Sequence, residues 1–122
     1  MNSLIACVPS GITVEDVHDQ LLAEGIAVDL QGGRITVSYE GSLAWVSPDS
    51  EGELEREYEP DELSLIEGTI GAWQGYIIDC RMLRAAEAAV AAISARWPCV
   101  VDDESGFIGR AQEYFERRRN NG

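Results

Sequence analysis

Apolar residues first gather in an unbroken run and then change period along the chain. Residues 3–8, SLIACV, form a run short enough for a buried strand, and Pro9-Ser10-Gly11 ends it. Val14, Val17, Leu21 and Leu22 then recur at helical intervals, predicting a helix with one face toward a core. Thr13-Val14-Glu15-Asp16 marks its start as a capping-box pattern, with Asp16 in the place usual for glutamate. Ile12 and Val17 are placed for the hydrophobic staple, and Gly25 suits the residue that closes the last turn.

Three strand-like runs follow: IAVDL (26–30), RITVSY (34–39) and LAWVS (43–47). Gln31-Gly32-Gly33 and Glu40-Gly41-Ser42 are short enough to join them as hairpins in a meander. Trp45 alternates with Leu43 and is expected in the core. Farther on, Leu63, Ile66 and Ile70 predict a short helix ending near Gly71, and GYIID (75–79) a strand. From Arg81 to Trp97 the positions Leu83, Ala86, Val90, Ile93 and Trp97 make one helical stripe, closed by Pro98. CVV (99–101) reads as a strand and Asp102-Asp103-Glu104-Ser105-Gly106 as the break after it. Ala111, Tyr114 and Phe115 mark a last helix, whose C-terminus suits Arg117-Arg118-Arg119.

This order predicts one α+β domain over residues 1–122, a mostly antiparallel sheet with helices packed on it. Strand, long helix and strand at 76–101 suit one right-handed crossover. Gly68, Gly71 and Gly75 read as turn glycines. Trp97 ends an apolar stripe and is expected in the core, whereas Trp73, in IGAWQG, falls in a loop, either as the best candidate for an exposed aromatic or packed over a sheet edge.

One segment obeys neither period for apolar residues. SPDSEGELEREYEPDE, residues 47–62, carries eight carboxylates and one arginine. On a helix its glutamates would point all round the axis and repel at i,i+4. On a strand Glu51, Glu53, Glu55, Glu57 and Glu59 share one face, with Leu54, Arg56 and Tyr58 on the other. The segment is therefore expected to be a hairpin arm with an anionic face, or else a mobile acidic loop. Strand residues two apart lie roughly 6.5–7 Å from each other. Such a row resembles the phosphate spacing of a nucleic-acid strand and could fill a basic groove built for RNA or DNA. A row of that kind also serves plain solubility and protects a sheet edge from aggregation.

Composition narrows the classes of function. At 122 residues and 45% hydrophobic, the chain can fold around one core despite its formal charge of −13. That charge disfavours nucleic acid, anionic membranes and acidic ligands as direct partners and favours a basic partner. Cys7, Cys80 and Cys99 lie in or beside apolar runs without a CxxC pair, and read as buried thiols in a reducing cytosol. The N-terminus lacks a basic region and its apolar run is too short for a signal peptide, and no stretch approaches a membrane span, so a cytoplasmic location is expected.

No catalytic motif stands out: the chain has no G-x-S-x-G, P-loop, G-x-G-x-x-G or H-E-x-x-H. His18, the only histidine, lies inside the first helix with Asp19 and Glu15 as local neighbours, and is not assigned a catalytic role. Asp102-Asp103-Glu104 offers oxygen ligands for a hard cation such as Mg²⁺, but reads first as a solvated turn. No enzyme activity, metal or cofactor is expected.

The C-terminal half adds a further indication. A short helix ending in glycine is followed by a strand ending in Cys80-Arg81, then by an amphipathic helix. Arg96-Trp97-Pro98 comes next, with Val100-Val101-Asp102-Asp103, a glycine, and a last helix carrying Tyr114-Phe115. This pattern, over roughly residues 63–118, resembles small immunity proteins encoded beside bacterial polymorphic or contact-dependent toxins. The resemblance implies a cytosolic, non-enzymatic protein that neutralises one toxin domain by binding it through a variable surface. Charge then points to Glu51, Glu53, Glu55, Glu57, Glu59, Asp61 and Glu62 as the contact with a basic toxin domain, a nuclease. Tyr58 and Trp73 are the expected aromatic anchors. The alternatives are a small-ligand or regulatory domain, with the ligand between sheet and helices, and a metal-dependent hydrolase using carboxylates.

Overall fold

In the computed structural model, which describes residues 2–121 (the last by its backbone alone), twelve elements follow one another. The N-terminal part contains β1 (Asn2–Pro9), α1 (Val14–Ala23), β2 (Ala27–Gln31), β3 (Arg34–Tyr39) and β4 (Ser42–Pro48). Next come α2 (Glu53–Glu57), α3 (Pro60–Ile70), β5 (Trp73–Cys80) and α4 (Leu83–Ser94). The chain closes with β6 (Val100–Asp102), β7 (Ile108–Arg110) and α5 (Ala111–Asn121). The strands form one seven-stranded sheet in the order β2-β3-β4-β5-β1-β6-β7, with every neighbouring pair antiparallel. This is the α+β architecture expected from the sequence. β5 and β6 flank β1 and both oppose it, so they run parallel to each other and α4 supplies the crossover between them.

The two faces of the sheet are covered differently. On the first, α1, α4 and α5 bury the main core: Leu4, Ala6 and Val8 of β1, Ile35 and Val37 of β3, Ala44 and Val46 of β4, Tyr76 and Ile78 of β5. The buried face of α4 is alanine at four positions, which lets the helix lie close to the strands. On the second face α3 packs over β1, β5, β6 and β7. There a smaller core joins Ile5, Cys7, Leu54, Ile66 and Val100. β1 is thus covered on both sides, and its residues from Leu4 to Val8 are all buried. β3 and β4 are covered on one side only and alternate buried with exposed.

Several local rules hold as the sequence implies. The Thr13 N–H donates to Asp16 Oδ2 at 3.0 Å and the Asp16 N–H to Thr13 Oγ1 at 3.1 Å, completing the capping box of α1. Two-residue turns join β2 to β3 through Gly32-Gly33, and β3 to β4 through Glu40-Gly41. All four residues have positive φ, the geometry that matches the twist of paired strands. Cys7, Cys80 and Cys99 are buried free thiols, and burial pushes Cys99 up to about 12. No helix among the described residues is long and apolar enough to cross a membrane.

Other expectations are corrected. Leu22 is 56% exposed, and its place in the core is taken by Gln20, whose side-chain amide donates to the Ala92 carbonyl at 2.9 Å. Trp45 lies on the uncovered side of β4 with the Arg34 guanidinium 5.6 Å from its ring centre, so it is not a core residue. Trp73 opens β5, paired with Pro9, where a loop was expected. β7 was not anticipated; its pairing with β6, Val100 opposite Arg110, closes the sheet edge after the 102–106 turn.

Candidate partner-binding surface

The acidic segment is helical, not a hairpin arm or a loop. β4 ends at Pro48, and the Asp49 N–H bonds the Gly75 carbonyl at 2.9 Å, holding the exit of the strand against β5. The Asp49 carboxylate then accepts the Glu53 N–H at 3.1 Å and the Leu54 N–H at 2.9 Å. Two orphan donors at the start of α2 are satisfied in this way. Gly52 takes a left-handed conformation (φ 68°) that turns the chain into α2. Pro60 sits in the first turn of α3, and Glu62 Oε1 accepts the Glu59 N–H at 2.8 Å. Repulsion between Glu53 and Glu57 costs about 0.2–0.5 kcal/mol. Burial of Leu54 returns about 1.5–3 kcal/mol, enough to decide for the helix.

Leu54 explains Gly75. A Cβ on Gly75 would lie 2.4 Å from Leu54 Cδ1. Gly75 is therefore not a turn glycine: it is buried inside β5, and its missing side chain is the seat for α2.

With Leu54 turned inward, Glu51, Glu53, Glu55, Glu57, Glu59 and Asp61 are all exposed, and Glu62 is half-buried. They no longer share one strand face; they spread over the outer side of α2, the α2–α3 joint and the first turn of α3. None forms an ion pair with a basic residue among the described residues. Arg56, the one cation in the segment, donates from Nη2 to the Glu51 carbonyl at 2.7 Å. The result is a fixed anionic shelf on the second face of the sheet.

The two aromatic candidates lie beneath this shelf. Tyr58 and Trp73 are half-buried, their ring centres 6.0 Å apart, and both pack on the smaller core. The Tyr58 hydroxyl donates to Asp102 Oδ2 at 2.7 Å, and the Glu104 N–H donates to Asp102 Oδ1 at 2.7 Å. Both residues brace the shelf from within, each half-buried against the smaller core.

Asp102 is only 8% exposed, so the solvated turn expected here begins one residue later. Burial raises its pKa; the hydrogen bonds from Tyr58 and Glu104 oppose the rise without cancelling it. Burial also raises Tyr58, with the Asp102 hydrogen bond adding to the effect, and raises the neighbouring Cys7 thiol. Both groups keep their protons at neutral pH, so neither is an activated nucleophile. Beside them a cleft of about 440 Å³ is lined by Glu62, Asp102, Glu104, Gly106 and Ile108. Among the described residues no three His, Cys, Asp or Glu side chains converge as a metal site. His18 points its Nδ1 at Asp19, 3.1 Å away on the same helix.

Two further residues, Asp49 and Asp102, hold the shelf in place. Asp49 carried a local signal, a Pro-Asp-Ser-Glu-Gly stretch placed to cap a following helix. Asp102 carried none, because its partner Tyr58 is 44 residues away. Comparison of the chain with family models, curated proteins and solved structures gives no match.

Proposed function

We propose that this protein binds and neutralises a bacterial toxin domain, a basic nuclease, by laying the α2–α3 shelf over the cationic site that takes nucleic acid. The observation that carries the reading is the outward set of six exposed carboxylates from Glu51 to Asp61, unpaired with arginine among the described residues. The resemblance of residues 63–118 to immunity proteins supplies the class of partner.

Mimicry of phosphate spacing by a strand does not survive, since the segment is helical. A fixed field takes its place. Leu54, Ile66 and the Tyr58–Asp102 bond tie the shelf to the sheet before any partner arrives, so little ordering entropy is lost on binding. Opposite charge on a partner speeds encounter and selects against anionic surfaces. Association also relieves the repulsion that the free protein carries within the shelf.

The test uses the C-terminal domain of the toxin reading frame beside this protein's gene. Its nuclease activity should be blocked at a one-to-one ratio, with inhibition weakening as salt rises. Full nuclease activity in the presence of excess protein would reject the reading, as would a gene without such a neighbour.

A further inference from the structure

We propose that the free edge of β2 takes up an extended strand of a partner protein in which apolar and basic residues alternate. The edge shares no residue with the acidic shelf and stands apart from the toxin reading.

The backbone gives the first reason. β2 stands at one end of the sheet and has a neighbour, β3, on one side only. The two-residue turn at Gly32-Gly33 makes Gln31 and Arg34 the bonded pair that closes the hairpin. Bonded and unbonded pairs alternate along an antiparallel ladder, so Ala27, Asp29 and Gln31 are the residues that bond β3. The N–H and C=O groups of Val28 and Leu30 therefore point away from the sheet, and no turn or loop among the described residues bonds them. The opposite edge offers less: β7 has three residues and runs straight into α5. A row of open backbone groups is a template for a further strand.

The side chains on the α1 side give the second reason. Val28 and Leu30 are half-buried and pack on the main core from its margin. α1 lies over β2, and its Gln20 reaches inward to the Ala92 carbonyl of α4 at 2.9 Å. Leu22 falls roughly 200° round the helix from Gln20. It therefore turns from α4 toward the margin of the sheet, 56% exposed. A strand added to β2 would lay alternate side chains against Val28, Leu30 and Leu22, the way specificity is set when a peptide extends a sheet.

Charge selects the occupant. Residues 1–33 contain no lysine or arginine, whereas Glu15, Asp16, Asp19, Glu24 and Asp29 fall within α1, its C-cap and β2. Arg34 is drawn to the Trp45 ring on β4. Asp29 is exposed on the sheet face away from α1; it accepts Gln31 Nε2–H at 3.0 Å and has no ion pair among the described residues. The remaining side chains of the added strand meet this carboxylate, which a lysine or arginine answers. A second copy of the chain does not fit. Two β2 edges overlapped in full and antiparallel set Asp29 directly opposite its own counterpart, a like-charge pair that opposes association.

The test titrates full-length ¹⁵N-labelled protein at low salt with a short peptide of alternating valine and lysine. The peptide should shift the amides of Val28 and Leu30 and slow their hydrogen exchange, with Kd below about 1 mM. The same peptide with glutamate in place of lysine should bind at least tenfold more weakly. Val28→Pro removes an outward donor and no ladder bond, so the fold should hold while affinity for the lysine peptide falls at least tenfold. Asp29→Lys, at an exposed position, should weaken the lysine peptide and strengthen the glutamate one. Absence of shifts at Val28 and Leu30 would overturn the proposal. So would equal binding of the two peptides, or an unchanged preference in Asp29→Lys. Shifts at these amides that grow with protein concentration alone would put a second copy at the edge and overturn the choice of partner.

Discussion

The Tyr58 hydroxyl donates a 2.7 Å hydrogen bond to Asp102, joining the α2–α3 joint to β6 across 44 residues of sequence. It is the polar tie between the acidic shelf and the sheet, beside the apolar contacts of Leu54 and Ile66. Tyr58→Phe leaves a buried carboxylate oxygen without its donor. The variant should lose about 1–3 kcal/mol of stability, measured by urea unfolding. Amide exchange should rise first in residues 53–62, because the tie holds that segment locally.

Asp102 also sets a pH dependence. Its folded-state pKa lies above the ordinary 3.8, with burial the main cause. The folded state therefore holds this proton more tightly than the unfolded chain does. Its contribution favours folding below about pH 3.8 and is lost as pH rises through the folded value. Asp102→Asn removes that titration. The stability difference, wild type minus variant, should fall as pH increases from about 3 to 6. A difference that stays flat or grows would contradict the assigned direction.

Gly75 and Leu54 form a second pair with a measurable coupling. Gly75→Ala places a methyl group against Leu54 Cδ1 and should destabilise by about 1–3 kcal/mol. Leu54→Ala alone should lose about 2–5 kcal/mol through the vacated space. In the double variant the new methyl enters that space, so the combined loss should be smaller than the sum. Additive losses would show that Leu54 does not rest on Gly75.

What the sequence made legible was what local chemistry decides. Thr13 and Asp16 cap each other within one turn, and Gly32-Gly33 and Glu40-Gly41 specify their hairpins without outside help. Leu63, Ile66 and Ile70 announced α3 and its end at Gly71. The acidic segment misled because alternate glutamates satisfy the period of a strand, whereas the deciding contacts lie outside the segment: Leu54 on Gly75, Tyr58 on Asp102. Alternation in β4 was correct, but alternation does not say which face is covered, and Ala44 and Val46 took the inner side that Trp45 was expected to share. β7 holds only Ile-Gly-Arg, too few residues to show a period. The carboxylates expected as contacts lie on one surface because they are contiguous in sequence, while the two aromatics expected with them are half-buried beneath it.

The central claim, that the shelf of carboxylates is the toxin contact, is tested most directly by calorimetric titration of the neighbouring toxin domain with two proteins. One is the wild type; the other carries Glu51→Lys, Glu55→Lys and Glu57→Lys, with its fold confirmed by circular dichroism. All three positions are exposed and none of their carboxylates accepts a hydrogen bond within the described residues; the Arg56 bond to Glu51 goes to its backbone carbonyl. The wild type should bind with Kd below about 1 µM. The variant should bind at least tenfold more weakly, with a smaller dependence on salt. Equal affinity of the two proteins would contradict the account.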